Sequence, residues 1–303
     1  MRKIKKIVIG LIVILIFIPL MGFGYLYFKL NSMYDNTVIN KVNNDSSGSI
    51  KVQGITNILL TGVDGNSLDK GNRSDAMMIL TIDKNNNDIR ITSLARDTYV
   101  DIPGHNTEKL THAYSYGGPS LLLETINKNF DLNIDKYVAV SFESFKHVID
   151  AIGGVEIEVL EKEVNYIPGV NSAGKQILNG SEALAYSQIR YADNAYQRDS
   201  RQRTVIQSAF NKLIGTSTKN ILNVGIELLS YTKTNISPLE AMDLANTLIK
   251  INDREFDQME FPLEGHRTGH IINDKTGWVI EWEKDYNKEQ LNKFIFDYVD
   301  YKK

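Results

Sequence analysis

The chain has 303 residues, 42% of them hydrophobic and 23% charged, with 34 basic against 37 acidic side chains and no cysteine. Those fractions belong to a globular protein and exclude a disordered or collagen-like chain. The lack of cysteine excludes disulfides, thiolate zinc sites, iron–sulfur clusters and a cysteine nucleophile. A formal net charge of -3 leaves no basic face for wholesale nucleic-acid binding, so no nucleic-acid partner is expected.

At the start of the chain, Arg2, Lys3, Lys5 and Lys6 precede an uncharged apolar run, Ile7 to Phe28, closed by Lys29. At about 1.5 Å per residue this run crosses a hydrocarbon core of about 30 Å. It exceeds the h-region of a signal peptide, and no small-x-small cleavage site follows it. Residues 1–29 are therefore predicted to be a cytoplasmic cap and a single-pass anchor in the plasma membrane. By the positive-inside rule the remainder lies outside the cell. Without those five cations the exported part carries about -8, which opposes a DNA-binding role further.

Residues 30–54 are polar and read as a flexible linker; residues 55–303 read as one extracellular domain. Ile55–Val63 is predicted as a buried strand. Ala76–Ile82 and Ile89–Leu94 flank the turn cluster DKNNND and read as a hairpin. Helical spacing follows Gly-Gly-Pro over Ser120–Phe130, and Tyr137–Phe142 reads as a strand. Glu143–Ile152 is a predicted helix ending at Gly153-Gly154, and Val155–Val159 a further strand. Later helices are predicted at Ser181–Tyr191 with a serine cap, at 197–214, 218–231 and 237–251, and at Lys288–Tyr298, with a strand at Phe256–Phe261. Interleaved strands and helices predict an α/β fold, a mixed central sheet sandwiched by helices.

The chemistry is expected where the arginines gather. Ten arginines stand against 24 lysines, and Arg190, Arg198, Arg201 and Arg203 fall within fourteen residues. A guanidinium presents a rigid fork of donors that matches phosphate oxygens, whereas an ammonium is a point charge. Helix-surface salt bridges produce the same clustering, so both readings stay open. Arg198, Arg201 and Gln202, at i, i+3 and i+4, are expected on one helix face. Arg73 and Arg96 sit just beyond strand ends, where open sheets bind ligands. Asp64 and Asp75 are hard oxygen donors at the same edge, suited to magnesium beside phosphates, although Asp64 also suits a plain turn. Leu121–Leu123, Ile126, Phe130, Val138, Val140, Phe142, Phe145, Val148 and Ile149 read by default as core. If part of this set lines a cavity open to the arginines, the ligand has a charged head and a greasy tail. The five histidines show no metal-ligand spacing, and no Walker A, GxGxxG or GxSxG motif occurs.

The stretches ILLTGVD (58–64), RSDAMMIL (73–80), SLARDTYVDIPG (93–104), KLTHAYSYGG (109–118), DAIGGVEIEV (150–159), LNGSEALAYSQIRY (178–191) and QRDSRQR (197–203) occur in that order. In these the chain resembles the LytR-CpsA-Psr family from about Ile55 to Ile214. The resemblance implies a membrane-anchored α/β domain facing the exterior of a Gram-positive cell, with a pocket for a polyprenyl (pyro)phosphate. It implies a magnesium-dependent phosphotransferase that moves a polyprenyl-pyrophosphate-linked glycopolymer, such as teichoic acid or capsule, onto peptidoglycan. Carried over by position, Asp64 and Asp75 match the magnesium carboxylates, and Arg73, Arg96, Lys109, Arg190, Arg198 and Gln202 lie near the pyrophosphate. Gln188 and Arg201 are further expected substrate contacts, and Asp97 and Asp75 are candidate bases. Two departures stand out: Gln188-Ile189-Arg190 replaces the family's usual Arg-x-Arg, and Ala195-Tyr196-Gln197-Arg198 replaces its Asp-Phe-Gly-Arg type element. The loss of a cation at 188 favours one alternative, a non-catalytic polyprenyl-phosphate-binding or regulatory cell-wall protein; a lipid pyrophosphatase, which would release polymer phosphate without an acceptor, is a third.

Overall fold

A computed structural model describes residues 52–65, 68, 71–189, 195–214, 232–251, 255–274 and 276–297. The predicted membrane anchor, most of the linker and the helix expected at 218–231 lie outside the described residues. Among the described residues no helix is long and apolar enough to cross a membrane.

In chain order the strands are β1 (Ile55–Val63), β2 (Ser74–Asp83), β3 (Asp88–Leu94), β4 (Tyr99–Asp101), β5 (Thr107–Lys109), β6 (Lys136–Ser141), β7 (Val155–Val159), β8 (Gly174–Leu178), β9 (Thr232–Thr234), β10 (Asp257–Phe261), β11 (Arg267–Ile271) and β12 (Trp278–Trp282). The helices are α1 (Leu110–Phe130), α2 (Phe142–Ala151), α3 (Glu161–Val164), α4 (Gly180–Gln188), α5 (Ala195–Ile214), α6 (Pro238–Lys250) and α7 (Lys284–Phe296). Six strands form a mixed sheet in the order β10-β3-β2-β1-β6-β9, with β1–β6 and β3–β10 parallel and the other pairs antiparallel. Three two-stranded ribbons, β4–β5, β7–β8 and β11–β12, flank it. The expected mixed sheet between helices is the one observed.

The period-two alternation of the strands decides what lies on each face. Leu59, Val63, Met77 and Ile79 face a core that includes Leu110, Leu122, Ile126 and Phe130 of α1 and Leu291 and Phe294 of α7. Ile58, Leu60, Met78, Leu80 and Ile82 face the other way, toward Ile206 and Phe210 of α5 and Leu244 and Leu248 of α6. A third cluster joins α2, α4 and α5 to the β7–β8 ribbon.

The hairpin forms as expected, one or two residues longer at its ends. In its turn the Asp83 carboxylate accepts the N–H groups of Asn85 and Asn86. Helix starts differ from expectation at α4 and at α7, which begins at Lys284 rather than Lys288. α4 is capped by Asn179 rather than Ser181, because Asn179 and Glu182 satisfy each other's backbone N–H groups in a capping box. α1 joins two helical segments: an earlier one from Leu110, not expected from the sequence, and, after the non-helical Gly117 and Gly118 (the latter at φ 64), the expected one that runs on to Phe130. The Gly-Gly-Pro signal thus marks the start of the expected segment, with proline in its first turn.

Arg90 ties the sheet to α7. It is wholly buried, pairs with Asp83 and with Asp88 (2.9 Å), and donates to the carbonyl of Phe294 at 2.9 Å. Burial pushes the Asp88 carboxyl above its ordinary range, with Asp257 and Asp83 adding to the rise and Arg90 opposing it. Replacing Arg90 with methionine strands these carboxylates without a cation and is expected to cost about 3–5 kcal/mol in urea unfolding at neutral pH. Arg90 opposes the rise at Asp88, so without it the carboxyl is pushed up further and protonation favours the folded variant more than the folded parent. The deficit should therefore shrink as the pH falls through the Asp88 titration, and an equal deficit at pH 4 and pH 8 would contradict the assignment.

Candidate functional site at the sheet edge

The β1–β2 ladder pairs Gly62 with Ala76 and Val63 with Ser74, so Asp75 is an extra residue, a bulge. A bulge re-aims its side chain, and the Asp75 carboxylate accepts from Arg96 Nη1 at 2.6 Å. Arg96, just past β3, also lies 3.5 Å from Asp97, whose other oxygen lies 3.5 Å from Lys109 Nζ at the end of β5. The result is a chain of alternating charge: Asp75, Arg96, Asp97, Lys109. Burial lowers the Arg96 pKa, but Asp75 and Asp97 overcompensate and hold it above the ordinary guanidinium value. Arg96 is thus a permanent cation. Asp64, at the end of β1, accepts the Arg73 N–H at 2.6 Å, and its own N–H donates to the Arg73 carbonyl at 2.9 Å. The Arg73 side chain is exposed.

Beside Asp75 opens a cavity of about 420 Å³ between the sheet and α2, α4 and α5. Its walls are apolar: Leu60, Met78, Val138, Val140, Phe142, Phe145, Val148 and Ile149 among others. Polar atoms are confined to a few places, chiefly Asp75, Ser187, Gln188, Arg198 and Gln202. From α5 the lining takes Arg198, Gln202, Val205, Ile206, Ala209 and Phe210, a single helical stripe. The apolar set singled out in the sequence therefore divides. Leu122, Leu123, Ile126 and Phe130 are core, whereas the residues from Val138 to Ile149 named above line the cavity.

Arg201 does not join this lining. At about 100° per residue it lies on the far side of Arg198 from Gln202. Only 4% exposed, it donates to Glu163 at 2.7 Å and to the Ile189 carbonyl at 3.2 Å. Arg198, Arg201 and Gln202 fall within an arc of about 100° of α5 as expected, but Arg201, at the edge of that arc, turns to Glu163 and not to the cavity. Arg203 is also buried, donating to Gln258, Ser93 and Glu260. Arg190 lies outside the described residues. Sequence reasoning missed Asp199: nearly wholly buried, it accepts from Nε and Nη2 of Arg198 (3.3 and 3.1 Å) and so orients that guanidinium. Burial raises the Asp199 pKa against the opposing charge of Arg198. Among the described residues no group of three or more histidine or acidic side chains is arranged to hold a metal ion. Asp64 and Asp75 are the carboxylates at this edge that magnesium, a hard cation, would use, and Asp75 is engaged by Arg96.

The profile of the LytR_cpsA_psr family matches residues 22–293. The chain belongs to the LytR-CpsA-Psr family. It is 33% identical over 293 residues to TagU of Oceanobacillus iheyensis, a polyisoprenyl-teichoic acid–peptidoglycan teichoic acid transferase, with 91% of this chain and 89% of that one covered. TagU of Enterococcus faecalis is 32% identical over 252 residues, covering 78% and 80% of the two chains. Among solved structures, TagT bound to LIIa-WTA superposes with a TM-score of 0.69 at 24% identity over 83% of this chain and 94% of that one. Bacillus subtilis TagT gives 0.66 at 25% identity over 83% and 96%. The LytR-CpsA-Psr resemblance read from the motifs is thereby established. The family's departure at Gln188 falls at the cavity's polar side, where this chain places an exposed amide.

Two variants separate framework from site. Arg201→Met leaves Glu163 buried without its partner and is expected to lower stability by about 3–5 kcal/mol with no change in affinity for polyprenyl phosphate. Ala209→Phe puts a ring into the apolar part of the cavity and is expected to weaken that affinity at least about tenfold in a folded protein, read by lipid co-purification and thermal unfolding.

Proposed function

We propose that this protein transfers a glycopolymer from a polyprenyl-pyrophosphate carrier to peptidoglycan. The observation that carries the reading is the apolar cavity with Asp75, Arg198 and Gln202 at its polar side, contiguous with the Arg96–Asp97–Lys109 chain, in a relative of teichoic acid transferases. An isoprenoid tail suits the apolar walls, and its phosphates suit the guanidiniums of Arg96 and Arg198 with the amides of Gln188 and Gln202. The acceptor hydroxyl oxygen forms a bond to the phosphorus that carries the polymer. The bond from that phosphorus to the lipid phosphate breaks, and polyprenyl phosphate leaves. Arg96, Arg198 and Arg73 offset the charge that develops on the equatorial oxygens and the leaving group. Asp97 is the better base for the hydroxyl proton. Its oxygens keep loose 3.5 Å pairings, whereas Asp75 is held at 2.6 Å by Arg96. Magnesium bound by Asp64 and Asp75 would supply further charge neutralisation at the pyrophosphate.

The same reading places the domain outside the cell on the anchor at residues 1–29, supported by the charge and length of that segment. One observation favours a second reading. Gln188 hydrogen-bonds but does not offset charge, which suits a protein that holds polyprenyl phosphate without turning it over. Transfer of a labelled lipid-linked polymer to peptidoglycan decides between them. Arg96→Ala is expected to lower transfer at least about a hundredfold while the protein stays folded. Wild-type transfer in that variant would sink the catalytic assignment. An inert wild type that gains activity with Gln188→Arg would establish the binding protein. Release of polymer phosphate without acceptor would identify a pyrophosphatase.

A further inference from the structure

Two large apolar side chains on the β11–β12 ribbon take no part in the site described above. Trp278 is 41% exposed and Ile271 68% exposed, and they are direct partners in the ladder. The indole lies against Gly269, where an added methyl would come within 2.4 Å of the ring. Only glycine lets this ring rest on the hairpin backbone, so its position is built into the ribbon.

The ribbon is joined to the charged chain. The Ile280 N–H donates to the Asp97 carbonyl at 2.9 Å, and Thr98 bridges to Ile280. Gly277, next to Trp278, faces Lys109: a methyl there would lie 3.9 Å from its Nζ. Asp75 lines the cavity, whereas Arg96, Asp97 and Lys109 do not. A lipid carrier filling the cavity would therefore bring its phosphates to Asp75, leaving the second substrate to approach from the Asp97–Lys109 side. Trp278 and Ile271 stand on that flank.

We propose that Trp278, with Ile271 beside it, is a stacking platform for a pyranose ring of the acceptor glycan strand. A pyranose shows a face of C–H groups that packs on an indole, while its hydroxyl and N-acetyl groups stay in water at the edge. A contact with an anionic membrane would need a basic surface. On the ribbon Arg267 is turned inward to Glu260 and the Pro262 carbonyl, whereas Asp274 and Glu281 are exposed. The direction of approach rests on the transferase reading; the platform rests on the ribbon itself.

The experiment uses the full-length protein in detergent micelles, with soluble uncrosslinked peptidoglycan glycan chains as probe and tryptophan fluorescence as readout. Only two tryptophans are present, and Trp282 is buried against Phe130 and Phe261, so a ligand-dependent change reports on Trp278. Because replacing Trp278 removes that signal, glycan affinities of the variants are measured by calorimetry. Trp278→Ala is expected to weaken glycan binding roughly tenfold and Trp278→Phe less, with affinity for polyprenyl phosphate unchanged. Ile271→Ser, on the exposed partner position, should weaken it in the same direction and serves if Trp278→Ala fails to fold. Unchanged glycan affinity in the folded variants, or no glycan binding by the wild type, overturns the platform. A fluorescence change with phosphatidylglycerol vesicles that glycan does not compete away makes it a membrane contact and overturns it as well. Glycan binding that depends on Trp278 in a protein with no transfer activity would uphold the platform and remove the transferase reading instead.

Discussion

The site depends on one irregularity, the extra residue in the β1–β2 ladder. Because Val63 pairs with Ser74 and Gly62 with Ala76, Asp75 is released from regular pairing and serves two neighbours at once, the cavity and Arg96. One threonine fixes the arrangement. The Thr111 hydroxyl donates to the Ser74 carbonyl while its N–H donates to the Arg96 carbonyl. The start of α1 thereby clamps the bulge to the loop after β3. Without that clamp, two carboxylates and two cations on separate loops would have to be ordered at their own entropic cost.

The arginines divide between two physical jobs that use the same property. Arg90, Arg201 and Arg203 are buried, each with several acceptors, where a planar and weakly hydrated fork suits a low-dielectric interior better than an ammonium. Arg96 and Arg198 offer that fork near the cavity instead. Arg198 is only 7% exposed and is oriented by Asp199, so its guanidinium stands fixed before any ligand arrives. Preorganised charge of this kind needs little rearrangement when a phosphate binds.

This division explains what was legible in the sequence. Alternation revealed β1, the hairpin, β6 and β7, and helical spacing revealed α5, because these signals are local. Arginine clustering pointed to the right region but not to the right residues. Arg201 and Arg198 differ only in what faces them, Glu163 on α3 in one case and a cavity in the other, and both partners are distant in sequence. The short strands β4, β5 and β9 carry three residues each, too few for a period to register. The apolar run from Leu121 to Ile149 could not be divided in advance. Alternation and helical phase say which way a side chain points, but not whether its neighbours fill the space it points into.

That unfilled space has a thermodynamic consequence. The side chains lining the cavity of about 420 Å³ lack packing partners on one side and lose the dispersion contacts of a filled core. Water gains few hydrogen bonds from such walls. On the proposed function, an isoprenoid tail would replace that water with dispersion contacts, supply most of the affinity and stabilise the fold by mass action. The charged side then has a different task, to place a phosphate rather than to hold the lipid. Gln188 is consistent with that separation: an amide in place of a cation weakens the hold on charge while the larger, apolar share of binding remains intact.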